Sequence, residues 1–151
     1  MKIVGLITEY NPLHNGHVYH FNEVKKLSNA DLVICVTSSS FTMRGDLSLF
    51  DKFTKTNQSL NMGIDLVIEL PLIYTIQRAD IFSKNAVDIL NLCNVDEIWI
   101  GSEENNIDVY KKYYEKLKSI DNKEDYDTSY KTKANINLLS NDTLGFFYYK
   151  R

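Results

Sequence analysis

The chain has 151 residues, with 17 Lys and Arg against 20 Asp and Glu, a formal net charge of −3. Hydrophobic residues make up 44% and charged residues 25%, which excludes a disordered, collagenous or coiled-coil chain and fits one globular domain with a single core. The balance also excludes a chain-wide basic surface for nucleic acid, though not a local basic patch.

Taken in order, short β-rich runs alternate with longer helical ones. Ile3-Val4-Gly5-Leu6-Ile7 reads as a strand buried on both faces, followed by a loop through Asn11-Pro12 and a helix from about Gly16 to Leu27. Leu32 to Val36 is the second strand, and the serine-rich stretch Thr37 to Ser40 opens the next loop. Leu49 to Met62 suits a helix stopped by Gly63. Leu66 to Leu70 is a third strand ended by Pro71, Ala79 to Leu92 a helix, and Glu97 to Gly101 a fourth strand. Strands and helices alternating at this spacing predict βαβ units, a parallel sheet flanked by helices, and thus a Rossmann-like α/β fold. Right-handed crossovers bring the carboxyl ends of all strands to one edge, where open sheets of this kind take their ligands.

Residues 105–133 differ in composition, dominated by Lys, Asp, Glu, Asn and Tyr. They read as a polar helix around Val109, Tyr110, Tyr113, Tyr114 and Leu117, then a mobile loop around Ser119 to Ser129. Leu144 to Tyr149 starts an apolar helical element. No internal repeat or domain linker interrupts the chain. Cys35 and Cys93 lie in apolar stretches and read as free buried thiols, so no disulfide framework is implied and a cytoplasmic location is expected. The start turns polar too quickly for a signal peptide, and no apolar run is long enough to span a bilayer.

The most informative segment is Thr8-Glu9-Tyr10-Asn11-Pro12-Leu13-His14-Asn15-Gly16-His17. It follows a buried strand and opens a helix, whose first turn offers unpaired N–H groups and the positive end of a dipole. Imidazoles at i and i+3 can both face that position and donate to phosphate oxygens. Gly16 has no Cβ to keep a nucleotide from the backbone. The plainer alternative is a helix cap or a satisfied polar contact. A zinc site would need two further ligands, and neither cysteine lies in this loop, so no metal site is expected. His20, one turn on, is expected to pack or face solvent.

On these residues the chain resembles the H-x-G-H nucleotidyltransferases. More closely, ITEYNPLHNGHVYH is similar to the start of the bacterial tRNA(Met) cytidine acetate ligases. The likeness continues in order through Phe41-x-x-Arg44-Gly45-Asp46, Asp51-Lys52-Phe53-Thr54-Lys55 and Gly63-x-Asp65-Leu66-Val67-Ile68-Glu69-Leu70-Pro71. Ala79-x-x-Phe82-Ser83, Gly101-Ser102-Glu103 and Asn141-Asp142-x-Leu144-Gly145 complete the ordered set.

The resemblance implies that ATP and acetate form acetyl-adenylate, which acetylates the wobble cytidine of elongator tRNA(Met). It places ATP along Ile7, Thr8, Glu9, Tyr10, Asn11, Pro12, Leu13, His14, Asn15, Gly16, His17, Val18, Tyr19 and His20, with Gly101 against the adenosine and Asn141 as a further contact. His14 and His17 would stabilise the transition state by position and charge. Mg²⁺ is expected to arrive with the ATP phosphates. Arg44 is the basic residue suited to clamp a phosphate or carboxylate. Lys52, Lys55 and Glu69 are further phosphate or substrate candidates, although the ordinary reading of Lys55 is a solvated surface cation. Glu69 and Glu103 could each be a polar contact at the sheet edge or a substrate-side acceptor.

Departures from the family pattern fall mainly on the loop tied to acetate. Its S-G-N-F is Ser38-Ser39-Ser40-Phe41 here, R-G-E-P is Arg44-Gly45-Asp46-Leu47, and the Gly of F-S-x-G-A is Asn85. Family members run more than twice this length and carry an S/T-rich segment ending in Arg, which does not follow Gly145. The chain is therefore expected to be an N-terminal ATP-binding portion without the part that grips tRNA. A cofactor-type adenylyltransferase and a catalytically incomplete nucleotide-binding module are the alternatives.

Overall fold

A computed structural model describes residues 1–102, 105–118, 138 and 140–150. Chain contacts divide it into two compact units, Met1–Ile100 and Gly101–Arg151. The first unit runs β1 (Ile3–Thr8), α1 (Asn15–Ser28), β2 (Leu32–Thr37), α2 (Lys52–Met62), β3 (Leu66–Glu69), α3 (Leu72–Thr75), α4 (Ala79–Leu92) and β4 (Glu97–Ile98). The second contains α5 (Ile107–Lys118) and α6 (Ser140–Lys150).

The four strands form one parallel sheet in the order β3-β2-β1-β4. β1 and β2 are rich in β-branched residues, which pack well on a pleated surface covered on both faces. Their register sets Ile3 opposite Leu32 and Thr8 opposite Thr37; Thr37 in turn lies opposite Glu69 of β3. The carboxyl ends of these three strands are therefore level. The chain moves outward from β1 to β3, then returns to the other side of β1 for β4. That reversal makes the end of β1 a topological switch point, where α/β sheets open a crevice.

Val4, Leu6, Phe21, Val24, Val33, Cys35 and Ile64 form the core beside β1, with Tyr10 at its loop end. Burying each Val or Leu side chain contributes about 1.5–3 kcal/mol. α1 supplies Phe21, Val24 and Ser28 from one face, at helical spacing. Cys35 is a buried free thiol as expected, whereas Cys93 is only half-buried.

Element boundaries differ from the sequence reading in several places. α2 begins at Lys52 rather than Leu49, because Asp51 caps it by accepting from Phe53 N at 2.9 Å and Thr54 N at 3.1 Å. Gly63 ends it with φ +114°, a conformation open to glycine. β3 stops at Glu69, and Pro71 leads into α3, a turn absent from the sequence reading. β4 pairs with β1 at Glu97 and Ile98 and goes no further, after which Trp99 N makes a last bond to Gly5 O at 3.0 Å.

In the second unit, buried Asp142 accepts from Ser102 Oγ and from Tyr110 Oη, the latter at 2.6 Å. Tyr114 meets Tyr149 edge-on with ring centroids 6.1 Å apart. The polar helix expected around Val109 is thus α5, held by its tyrosine face. The expected loop at 119–129, and Glu103, lie outside the described residues. Among those described, no helix is long and apolar enough to cross a membrane.

Candidate functional site

α1 starts with a pair of histidines that cap their own helix. His14 is the N-cap, with extended backbone, and its Nδ1 accepts from Gly16 N at 3.1 Å. His17 reaches back, its Nδ1 accepting from His14 N at 3.3 Å. The two rings stack with centroids 3.7 Å apart and 23° between planes. In each neutral ring an accepting Nδ1 leaves the proton on Nε2. Among the described residues neither Nε2 has a protein partner, so the first turn carries two parallel Nε2–H donors beside the helix dipole. Burial lowers the pKa of His17 to about 4, and the His14 and His20 rings beside it add to the effect. His17 is therefore a neutral donor near pH 7.

Gly16 serves this arrangement directly. A Cβ there would lie 2.9 Å from His14 Cε1, so the residue is small because the His14 ring folds back over it.

The other residues of this stretch divide by role. Tyr10, with φ +44°, is only 3% exposed and packs its ring 4.8 Å from that of His17. Its burial raises the phenol pKa, against an opposing interaction with the Thr8 hydroxyl. Leu13 packs against the core, Ile7 and Val18 are half-buried, and Pro12, Asn15 and Tyr19 are exposed. The Asn11–Pro12 peptide is cis. Thr8 Oγ1 lies 3.2 Å from Cys35 Sγ, whose pKa burial pushes up to about 12. His20 is half-buried, its Nε2 has no partner among the described residues, and burial lowers its pKa against an opposing hydrogen bond with the Ile100 backbone.

Glu9 and Asn11 reach sideways. Glu9 Oε1 accepts from Met43 N and Asn11 Oδ1 from Leu49 N, each at 2.6 Å. Both side chains therefore hold the loop that follows β2. Within that loop Gly45 N donates to Thr42 O at 3.0 Å and Thr42 N to Asp46 O at 2.8 Å, closing a turn that displays Arg44. The Arg44 side chain is exposed and, among the described residues, unpaired.

Lys55 overturns its ordinary reading. It is 2% exposed, not a solvated cation, and its Nζ donates to Ser38 O at 2.8 Å, Ser39 O at 3.1 Å and Ser48 Oγ at 3.2 Å. Burial lowers its pKa, while Glu9 and Cys35 pull in the opposite direction. The serine-rich loop after β2 folds around this ammonium, whose donors are occupied by its carbonyls and hydroxyls. Lys52 instead pairs with Glu69 at 2.9 Å in a partly exposed bridge. Bonds from Lys52 and Ser39 hold the Glu69 carboxyl below its usual range. Between the ends of β2 and β3 and the first turn of α2 lies a cavity of about 260 Å³, with Thr37, Ser39, Lys52, Phe53, Thr56 and Glu69 in its wall.

Gly101 and Asn141 belong to the second unit, where both are exposed. Among the described residues no three His, Cys, Asp or Glu side chains cluster in a way that could hold a metal ion. They offer no protein cage for Mg²⁺.

A parallel Rossmann-like sheet with paired imidazoles on the first helix turn, at the switch point, defines the H-x-G-H nucleotidyltransferase class. The chain belongs to the family described as HIGH Nucleotidyl Transferase, whose model matches residues 1–150. It is 48% identical over 108 residues to a tRNA(Met) cytidine acetate ligase of Leuconostoc mesenteroides, covering 72% of this chain and 28% of that protein. With the enzyme of the same name from Staphylococcus aureus it shares 45% identity over 126 residues, 83% of this chain and 33% of that one. The structure of Thermotoga maritima TmcAL bound with alpha-thio ATP superposes with a TM-score of 0.80 at 32% identity, covering 99% of this chain and 43% of that one. A lipopolysaccharide core biosynthesis protein of Thermoplasma volcanium, at 21% identity and a TM-score of 0.52, shares the fold. The chain thus spans about 30% of the length of these two ligases.

Proposed function

We propose that this chain carries the ATP-binding part of a tRNA(Met) cytidine acetate ligase. ATP would bind at the end of β1, its phosphates receiving hydrogen bonds from His14 and His17 Nε2–H and from the exposed Arg44 guanidinium. A carboxylate oxygen of acetate attacks the α-phosphorus, pyrophosphate leaves, and acetyl-adenylate forms. The cytidine amine of the tRNA then attacks the acetyl carbonyl, the bond to the phosphate breaks, and AMP departs. The histidines act by holding donors where phosphate charge builds up, with no covalent step. Magnesium would enter bound to ATP and supply charge neutralisation there.

The stacked imidazoles carry this reading, since their Nδ1 atoms are fixed by the helix start and both Nε2–H groups remain for a ligand. The alpha-thio ATP held by the Thermotoga relative and the names of the bacterial relatives supply nucleotide and substrate. Acetate-dependent exchange of pyrophosphate into ATP by the purified chain tests the reading. Exchange that requires acetate and is lost in His17→Ala is expected. ATP binding without exchange would instead assign a nucleotide-binding module, and exchange driven by a nucleotide-type acceptor a cofactor adenylyltransferase.

A further inference from the structure

Glu9 and Asn11 lie inside the histidine-bearing stretch, yet both side chains are used on the loop that follows β2. Tyr10 between them is buried at φ +44°, while its two neighbours reach Met43 N and Leu49 N, each across 2.6 Å. These two anchor points bracket Arg44, one residue before it and five after it. We propose that Glu9 and Asn11 are positioning residues, which fix the turn carrying Arg44 against the histidine loop so that guanidinium and imidazoles meet phosphate as one preformed set of donors. The proposal rests on the ATP-binding reading and gives these two side chains a role other than contact with the nucleotide.

The turn they hold is bonded within itself. Phe41 and Leu47 pair across it as an antiparallel bridge, and Ser48 N donates to Ser40 O at 2.9 Å. Thr42 closes it further, donating its N–H to Asp46 O at 2.8 Å and accepting from Gly45 N at 3.0 Å and, on Oγ1, from Asp46 N at 3.3 Å. Gly45 takes φ +87° beside Arg44, a conformation open to glycine. A turn bonded in this way moves as a unit, so its docking at Met43 and Leu49 decides where the Arg44 side chain starts. Lys55 gathers the two ends of the loop, at Ser38, Ser39 and Ser48, whereas Glu9 holds the residue next to Arg44.

Charge explains how a carboxylate is tolerated at a sheet edge suited to phosphate. Left free, Glu9 would repel an anion, but it is bonded to Met43 N and lies near the buried Lys55 ammonium. As a charged acceptor it makes a bond roughly twice as strong as a neutral one would. Thr8 and Thr37 are paired in register, so the two loops leave the sheet about 4.8 Å apart and a short side chain can cross the gap. Donors held in place before the ligand arrives avoid the ordering cost that a loose turn would add to binding.

A double-mutant cycle read by calorimetry with ATP tests the proposal. Arg44→Ala is expected to weaken ATP about tenfold. Glu9→Ala should weaken it about fivefold in the parent chain but less than about twofold once Arg44 is absent. Combined with His17→Ala, Glu9→Ala should keep its full factor, because the imidazoles are held by their own helix start. Glu9→Gln retains an acceptor for Met43 N and should recover most of the loss. Asn11→Ala repeats the cycle from the second anchor, so the comparison stands even where one variant fails to fold. A merely structural role would weaken ATP with or without Arg44, and that result would overturn the proposal. An unchanged affinity in Arg44→Ala, or in both Glu9→Ala and Asn11→Ala, would overturn it as well. Pyrophosphate exchange separates this from the broader reading. Additive losses with acetate-dependent exchange intact remove the positioning role alone, a coupled cycle without exchange removes acetate activation alone, and absence of ATP binding removes both.

Discussion

The loop after β1 holds itself, while the loop after β2 is held from outside. In the first, His14 and His17 satisfy the N–H groups of their own helix start, and Tyr10 and Leu13 anchor the turn in the core. In the second, Glu9 and Asn11 take the backbone N–H groups of Met43 and Leu49, and Lys55 gathers the Ser38 and Ser39 carbonyls. The difference shows how one sheet edge can keep its donors rigid and still display Arg44 on a separate turn. Polar residues of the first loop serve two ends, a pair of imidazoles kept for a ligand and two acceptors used to clamp the neighbouring loop.

The comparison is most easily broken at Lys55. Lys55→Met keeps most of the volume but leaves two buried carbonyls without their donor, which should destabilise the fold by about 2–3 kcal/mol. Urea unfolding would show it as a lower midpoint, and Lys55→Arg should recover much of the loss. An unchanged midpoint would mean that the serine loop does not depend on this ammonium. A smaller effect, confined to the ligand, is expected from His14→Asn. Asparagine is a good N-cap, so stability should stay within about 0.5 kcal/mol of the parent. Loss of the Nε2–H should nonetheless weaken ATP about tenfold in calorimetry, the value of one hydrogen bond to a charged group. Equal loss of stability and affinity would reduce His14 to a cap. Glu9→Ala should release Met43 N from its acceptor at a cost of about 1 kcal/mol, read as roughly fivefold faster hydrogen exchange at that amide. Asn11→Ala should do the same at Leu49, and neither should speed exchange at Gly16.

Much of this was legible in the sequence, and the failures have two causes. The β-branched runs and their spacing gave strands, parallel sheet and the position of the histidines, because local pattern and tertiary packing agree there. The H-x-G-H stretch marked the helix start and the pairing of His14 with His17. Its sideways contacts escaped notice, since nothing local to Glu9 or Asn11 indicates a backbone N–H more than thirty residues away. α2 departed for a different reason: Lys55 was expected at the surface, but the helix turns Lys55 and Ser59 inward. The spacing of Lys55 and Ser59, one turn apart on one face, was a signal that charge concealed. A buried lysine is unusual enough that its residue type argued for the surface.

The smallest expected effect concerns acid. His17 titrates near 4 in the folded chain against 6.5 when unperturbed, because burial and the His14 and His20 rings disfavour its charged form. Between those values the unfolded chain binds a proton that the folded one refuses, so unfolding free energy rises with pH across this window. The stability tied to neutral His17 is thus intact above about pH 6.5 and is lost as pH falls toward 4. The side chain is half-exposed, and solvent screening makes the slope shallow. His17→Gln should flatten the acid limb of the unfolding midpoint without removing it, since burial also lowers the pKa of His20. The proton resonances of the His17 ring provide the direct reading. A midpoint near 4 would keep His17 a neutral donor at the helix start, and a midpoint near 6.5 would show its ring to be open to water and able to charge.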